Sequence, residues 1–134
     1  MEPEVLSHSI IRLSLLAGWI GVLAGIISGS LIGFFFHREG WLGGYGSFQR
    51  RMVRLGHISF FGLGFLNILF AVTLTLITLT PSLGRFASWS LILGAITMPS
   101  CCFLCAWRKN LWPLFSIPVT SLMVGVVILL WGWT

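Results

Sequence analysis

Charge is what this sequence has least of: charged residues make up 8% of its 134 positions, whereas hydrophobic residues make up 57%. Acidic residues are the rarest, and the three that occur are Glu2, Glu4 and Glu39. A soluble globular domain carries about 25% charged residues. A chain with so little charge cannot cover a surface that faces water, and the composition therefore predicts an integral membrane protein.

No acidic residue lies inside any long apolar run. Transporters that couple to protons or cations usually rely on an intramembrane carboxylate, so this class is disfavoured. The sequence also lacks an H-E-x-x-H metal motif, a C-x-x-C-H haem attachment motif and a glycine-rich phosphate loop. No serine has the base and acid partners of a hydrolase. These absences predict a protein that is not an enzyme.

Four apolar segments are long enough to cross the roughly 30 Å hydrocarbon core, which takes about 20 residues of helix. They cover residues 10–36, 52–80, 86–107 and 111–133. We interpret the first as a retained span, because it is longer than the apolar core of a signal peptide. The sequence thus predicts an all-α integral membrane protein, a single domain over residues 1–134 whose four transmembrane helices form an up-down bundle.

Basic residues give the chain a net charge of +5, but they lie at the ends of the apolar segments and form no continuous face. A nucleic-acid partner is therefore not expected. With four spans, the 37–51 loop and the 108–110 turn share one side of the membrane. That side holds six basic residues against two, Arg12 and Arg85, on the other. The six are Arg38, Arg50, Arg51, Arg54, Arg108 and Lys109. Because cytoplasmic loops carry the excess of Lys and Arg, we predict a cytoplasmic 37–51 loop and two extracytoplasmic termini.

Glycine recurs every four residues in the first span. This spacing turns slowly around a helix of 3.6 residues per turn, so the glycines form one groove. Small residues let another transmembrane helix approach closely, and we interpret the groove as a packing surface. In the second span we expect Gly64 to face the bundle and Asn67 to hydrogen-bond another helix. The glycines of the groove are Gly21, Gly25, Gly29 and Gly33.

Two histidines, His37 and His57, stand at the facing ends of the first two spans. Imidazoles at one depth on two helices are the ligand pair that a bis-histidine haem b requires. Nearby arginines would then bind the haem propionates. The alternative is that both histidines lie near the headgroups and need no cofactor. The arginines in question are Arg38, Arg50, Arg51 and Arg54.

The third span carries a second set of candidate ligands, Met98, Cys101, Cys102 and Cys105, on one helix face. Thiolates and thioethers favour Cu(I) or zinc. Buried cysteines also behave as small hydrophobic residues, and cysteines near a membrane boundary can be acylated. Packing is the interpretation that we favour for these cysteines over a metal site.

These observations predict a small non-catalytic membrane subunit that packs against the transmembrane helices of a larger complex, with an electron-transfer assembly as one setting. Its expected partners are the lipid bilayer and other membrane subunits. The alternative is a haem b or metal-binding redox protein that uses His37 and His57. A third hypothesis is a small-solute pore lined by the threonine-rich end of the second span, TLTLITLTPS.

Overall fold

A computed structural model of the chain describes residues 3–133, and the side chains from residue 8 onwards. It is all-helical in this range and contains four helices long and apolar enough to span a membrane, which confirms the predicted all-α class and the number of spans. Two short 3-10 segments, Trp41–Gly43 and Lys109–Phe115, lie in the connections. The helices are α1 (Pro3–Phe36), α2 (Phe48–Thr73), α3 (Pro81–Trp107) and α4 (Ser116–Trp131).

The second span is shorter than predicted, because α2 ends at Thr73 and residues 74–80 form an irregular connection. Proline disfavours helical geometry in the residue before it, and Thr80, before Pro81, is extended with φ −59° and ψ 141°. The Thr75 hydroxyl donates to the carbonyl of Val72, which satisfies a backbone acceptor of the last turn. Pro81 then occupies the first turn of α3, so this helix begins five residues earlier than the 86 predicted.

The fourth span has two parts. Residues Lys109–Phe115 form a 3-10 segment that contains Pro113, and the α-helix begins only at Ser116. Proline lacks an amide hydrogen and fits poorly inside an α-helix, whereas a short 3-10 segment at a helix start accommodates it. The two parts together, Lys109–Trp131, are long enough to cross a bilayer.

Helices α1 and α2 run antiparallel and approach most closely through glycine. A Cβ atom at Gly64 would lie 2.8 Å from the Gly18 carbonyl oxygen and 3.0 Å from the Val22 amide nitrogen. Only a residue without a side chain allows two backbones this close. Gly21, predicted as a groove residue, meets the Gly64 backbone at 3.1 Å on the same criterion.

The glycines of α1 that contact α2 begin at Gly18, one glycine earlier than predicted. Gly18 belongs to the contact, Gly25 accepts the Phe61 ring and Gly29 accepts the His57 ring. A Cβ atom at Gly33 would meet nothing within 4 Å, so this predicted packing glycine lies outside the α1–α2 interface. The helix crossing therefore buries the groove from position 18 to position 29.

Helix α3 is the centre of the bundle. It makes extensive contacts with each of the other three helices, whereas α4 packs mainly against α3. A buried cluster of Ile10, Phe70, Ala87 and Leu91 joins α1, α2 and α3, and residues of α4 pack against it. Gly125 of α4 fits against Leu91. The fold is thus a three-helix core with α4 applied to one side.

Within the spans, serine hydroxyls rather than the predicted asparagine make hydrogen bonds between helices. Asn67 is fully buried, but its side-chain amide donates to the Leu63 carbonyl of its own helix at 2.9 Å, and its Oδ1 atom has no partner. The hydroxyls of Ser14 and Ser88 instead join α1 to α3 at 2.7 Å. The hydroxyl of Ser121 donates across the α3–α4 contact to a backbone carbonyl.

The glycine contact yields a matched pair of variants on α2. Gly64→Ala places a methyl group against backbone atoms that cannot move aside, and should lower the free energy of unfolding in detergent by about 1–3 kcal/mol. Gly62→Ala adds the same methyl group where nothing lies within 4 Å. It should leave stability unchanged or raise it by up to about 1 kcal/mol, since alanine favours a helix. Equal effects in a denaturation series would contradict the close contact between α1 and α2.

Candidate functional site

Most residues with charge or metal-binding chemistry lie at one end of the bundle, where α1 gives way to α2. The connection between them is ordered by an unusual backbone turn. Leu42 has φ 52°, and the next two residues, Gly43 and Gly44, have φ 81° and 92°. Positive φ is uncommon for a residue such as leucine and is natural for glycine. The turn sends the chain back over the first turn of α2.

Helix α2 begins at a serine cap beneath this turn. The Ser47 hydroxyl accepts a hydrogen bond from the Arg50 amide at 3.1 Å, a common way to satisfy a free amide at a helix start. The same hydroxyl donates to the carbonyl of Leu42. The cap thereby ties the strained turn to α2 and directs the Arg50 side chain back towards the end of α1.

Arg50 is fully buried at this end, inside a cage of aromatic rings. Its guanidinium carbon lies 3.8 Å from the centre of the Tyr45 ring, 4.7 Å from that of Phe36 and 5.4 Å from that of Trp41. Each contact is at cation–π distance, where the ring faces stabilise the positive charge. We call these four residues the arginine cage.

The guanidinium also caps the C-terminus of α1. One nitrogen donates to the Arg38 carbonyl at 3.4 Å and the other to the carbonyl of Phe36. These carbonyls lie at the negative end of the helix dipole, which favours a cation. The Tyr45 hydroxyl donates to the same Phe36 carbonyl at 3.2 Å. No carboxylate pairs with Arg50 among residues 8–133, and its Nε atom has no partner. The charge is stabilised by carbonyls and aromatic rings alone.

The four arginines that the sequence suggests as propionate ligands differ in burial and in contacts. Arg50 is enclosed and its donors are used by α1. Arg51 is exposed, Arg54 is partly buried, and Arg38 is exposed with its guanidinium 5.5 Å from the centre of the Phe35 ring. The arginines therefore have different environments and do not form one anion site.

His57 is a packing residue of the α1–α2 interface. A Cβ atom at Gly29 would lie 2.5 Å from its Cε1 and 3.1 Å from its Nε2, so the ring fills the space that this glycine leaves. Its Nδ1 atom lies 3.1 Å from the Ser28 hydroxyl, and the Phe61 ring packs edge-on against it. Because the Ser28 hydroxyl donates to the Gly25 carbonyl, its oxygen is free to accept from the imidazole.

The structure does not bring His37 and His57 together. His37 is exposed just after the end of α1, about two helical turns beyond the Gly29 notch that holds His57. Axial haem ligands must face each other across one iron. One imidazole inserted against a helix backbone and another exposed further along that chain do not fit a bis-histidine haem b.

The cysteines of α3 lie in contacts with neighbouring segments. Cys101, Cys102 and Cys105 are buried and free, while Met98 is only partly buried. The Cys101 thiol points to the Leu114 carbonyl at 3.6 Å, and the Cys102 Cβ atom packs against Gly56. Across the described residues, no three His, Cys, Asp or Glu side chains are arranged to hold a metal ion. The geometry matches small hydrophobic residues at a close helix contact.

Sequence reasoning missed the arginine cage, although a signal was present. Residues 36–45 contain three aromatic residues that flank two adjacent glycines, and Ser47 and Arg50 follow. A serine directly before an apolar helical segment predicts a helix N-cap. Nothing in the pattern shows that the loop folds back to bury the arginine, because that depends on the turn at Leu42.

No family model, curated protein or solved structure matches the chain. The end of the bundle that carries Arg38, Arg50, Arg51, Arg54, Arg108 and Lys109 is the basic end. Its contacts indicate what its residues do. Its buried arginine and partly buried histidine contact helix ends and helix crossings, and Arg38, Arg51 and Arg108 are exposed.

The arginine cage yields a test with a charge-matched control. Arg50→Leu removes two hydrogen bonds to the end of α1 and three ring contacts, and should cost about 2 kcal/mol of unfolding free energy. It should also make the 37–47 loop sensitive to protease. Arg51→Leu removes the same charge from an exposed position and should change stability by less than about 0.5 kcal/mol. Similar denaturation curves for the two variants would show that the cage does not stabilise the fold.

Proposed function

We propose that this chain is a non-catalytic integral membrane subunit that packs against transmembrane helices of another protein. The observation that carries the proposal is the one-sided packing of α4. In the most apolar stretch of Lys109–Trp131, 11% of residues are buried, against 44% in α3. Helix α4 thus has a neighbour on one side and an open apolar surface on the other.

A groove on that side supports the choice of a helix as partner. It runs between α3 and α4 and combines large apolar walls with small polar residues, Ser90, Thr120 and Ser121. The Thr120 hydroxyl donates to the carbonyl of Ser116 in its own helix, so it adds no unsatisfied polar group to the surface. Small residues between bulky ones accept the ridge of a neighbouring helix. The large walls are Phe86, Trp89 and Leu93.

The rival functions have less support from the geometry. The threonine-rich segment predicted to line a pore lies largely in the 74–80 connection rather than inside a span. The histidine pair does not fit haem, and the cysteines are used in packing. The contacts favour association with other helices in general and do not single out an electron-transfer assembly.

The proposal is tested by the mass and composition of the chain purified from native membranes in mild detergent. We expect a complex that contains a second polypeptide at a fixed ratio to the 14.8 kDa chain. Thr120→Trp fills the groove and should release that polypeptide, because a large ring blocks close helix approach. Native mass spectrometry measures both outcomes.

Val119→Trp is the matched control, since Val119 is the exposed neighbour of Thr120 and does not line the groove. It should leave the complex intact. A particle containing one copy of the chain and lipid only would overturn the proposal, and two copies alone would replace it with a homodimer. Loss of the second polypeptide in both variants would show that the groove is not the contact.

For the orientation we propose a cytoplasmic 37–51 loop, supported by its excess of basic residues. Gly46→Cys provides a probe, because position 46 is exposed and a Cβ atom there meets nothing within 4 Å. The native cysteines are buried and should react slowly. A membrane-impermeant maleimide should label the variant in inverted vesicles and not in intact cells. Labelling from outside the cell would reverse the orientation.

A further inference from the structure

We infer that the basic end of this protein holds one anionic phospholipid, with an acyl chain in a groove between α1 and α3 and the phosphate at Arg38 and Arg108. The groove is apolar and opens beside the arginine cage. Its lining includes Leu31 and Phe35 of α1, Trp41 of the loop, Val53 of α2, and Phe103 and Trp107 of α3. The inference is independent of any protein partner.

The first step of the argument is the depth of the groove. It lies at the ends of α1 and α3, where both helices leave the apolar core. Trp41 and Trp107 line it, and tryptophan is enriched at the headgroup level of membranes. A groove with aliphatic and aromatic walls below that level can accommodate the upper part of an acyl chain, whereas a soluble anion gains nothing from such walls.

The second step is the charge around the groove mouth. Arg38 is exposed and lies over the ring of Phe35, which in turn stacks on Trp41 with centroids 5.9 Å apart. Arg108 is exposed and directly follows Trp107. Two arginines thus adjoin opposite walls of one groove, and guanidinium groups bind phosphate oxygens well.

The third step is the balance of charge at the groove mouth. Glu39 directly follows Arg38 and is the only acidic residue in the described part of the chain beyond the first turns of α1, so it offsets one of the two arginines. The buried Arg50 lies behind the groove, with its guanidinium 5.4 Å from the centre of the Trp41 ring and no carboxylate to neutralise it. A charge in a low-dielectric site acts over a longer distance than one in water. The groove mouth is therefore electrically positive.

Charge complementarity selects the occupant. A zwitterionic lipid would bring a cation next to two arginines, whereas an anionic headgroup matches them. The opposite end of the bundle provides a comparison. There Arg12 lines one surface groove and Arg85 lines another. At the basic end no basic residue lines the groove itself, but Arg38 and Arg108 both directly adjoin residues that line it. Selective retention of one anionic lipid is thus expected at one end only.

The test uses the full chain, stripped of lipid in detergent and titrated with phosphatidylglycerol or with phosphatidylcholine of the same acyl chains. Native mass spectrometry should show one retained phosphatidylglycerol, bound at least about tenfold more tightly than phosphatidylcholine. Arg38→Gln combined with Arg108→Gln should abolish this preference. Arg12→Gln combined with Arg85→Gln removes the same charge from the other end and should preserve it.

A second pair of variants keeps every charge and tests the acyl groove. Leu31→Trp fills the groove and should weaken phosphatidylglycerol binding by about tenfold. Leu23→Trp places the same ring on an exposed part of α1 outside the groove and should have no effect. Since both leucines are exposed, by 58% and 56%, both variants should fold. Circular dichroism checks this.

Three results would overturn the inference. Equal loss of binding in the two arginine pairs would indicate a diffuse charge effect. Equal binding of the two lipids would remove the role of the headgroup charge. Displacement of the lipid by soluble glycerol phosphate at similar concentration would show that the groove contributes nothing. None of these results depends on whether the chain has a protein partner, so the two proposals fail separately.

Discussion

The backbone contact between α1 and α2 at Gly64 is the constraint on which the rest of the structure depends. It locks the register of the two helices, because a glycine facing Gly18 and Val22 tolerates no sliding. In that register Gly25 accepts the Phe61 ring and Gly29 accepts the His57 ring, and the loop between the helices returns the chain over the end of α1. The arginine cage is thus a consequence of the glycine contact as well as of local sequence.

The bilayer makes unsatisfied polar groups costly, and this chain meets that demand locally. Thr73, Thr97 and Ser100 each donate to a carbonyl one turn back in their own helix. Serine also supplies hydrogen bonds between helices where the backbones are close. Asn67 is an exception, because its buried Oδ1 atom has no hydrogen-bond partner among the described residues. Polar residues that suggest chemistry in the sequence therefore serve mainly to stabilise helices and their crossings.

The two ends of the bundle differ in what they offer to the membrane. The basic end combines an enclosed arginine, exposed arginines and a groove of mixed aromatic and aliphatic residues, which suits an anionic lipid. The side formed by α3 and α4 offers small residues between large ones, which suits a helix. The chemistry of these two surfaces distinguishes the two proposed occupants, a lipid and a helix.

Three features could be predicted from the sequence alone: the all-α membrane class, four segments long and apolar enough to span a bilayer, and a glycine packing face. These follow from composition and from periodicity, which depend on the solvent and on helix geometry alone. The sequence placed the helix ends near the prolines less well, because α2 ends at Thr73 rather than at 80, and α3 begins at Pro81 rather than at 86.

Only the tertiary structure decided which glycines meet a neighbour, that His57 and His37 lie apart, and that Arg50 is buried while Arg51 is not. The reason is physical. Each of these features depends on the rotation and register of one helix against another, and on a turn in which Leu42 takes a positive φ. Contacts between residues distant in sequence set those variables, and no local pattern encodes them.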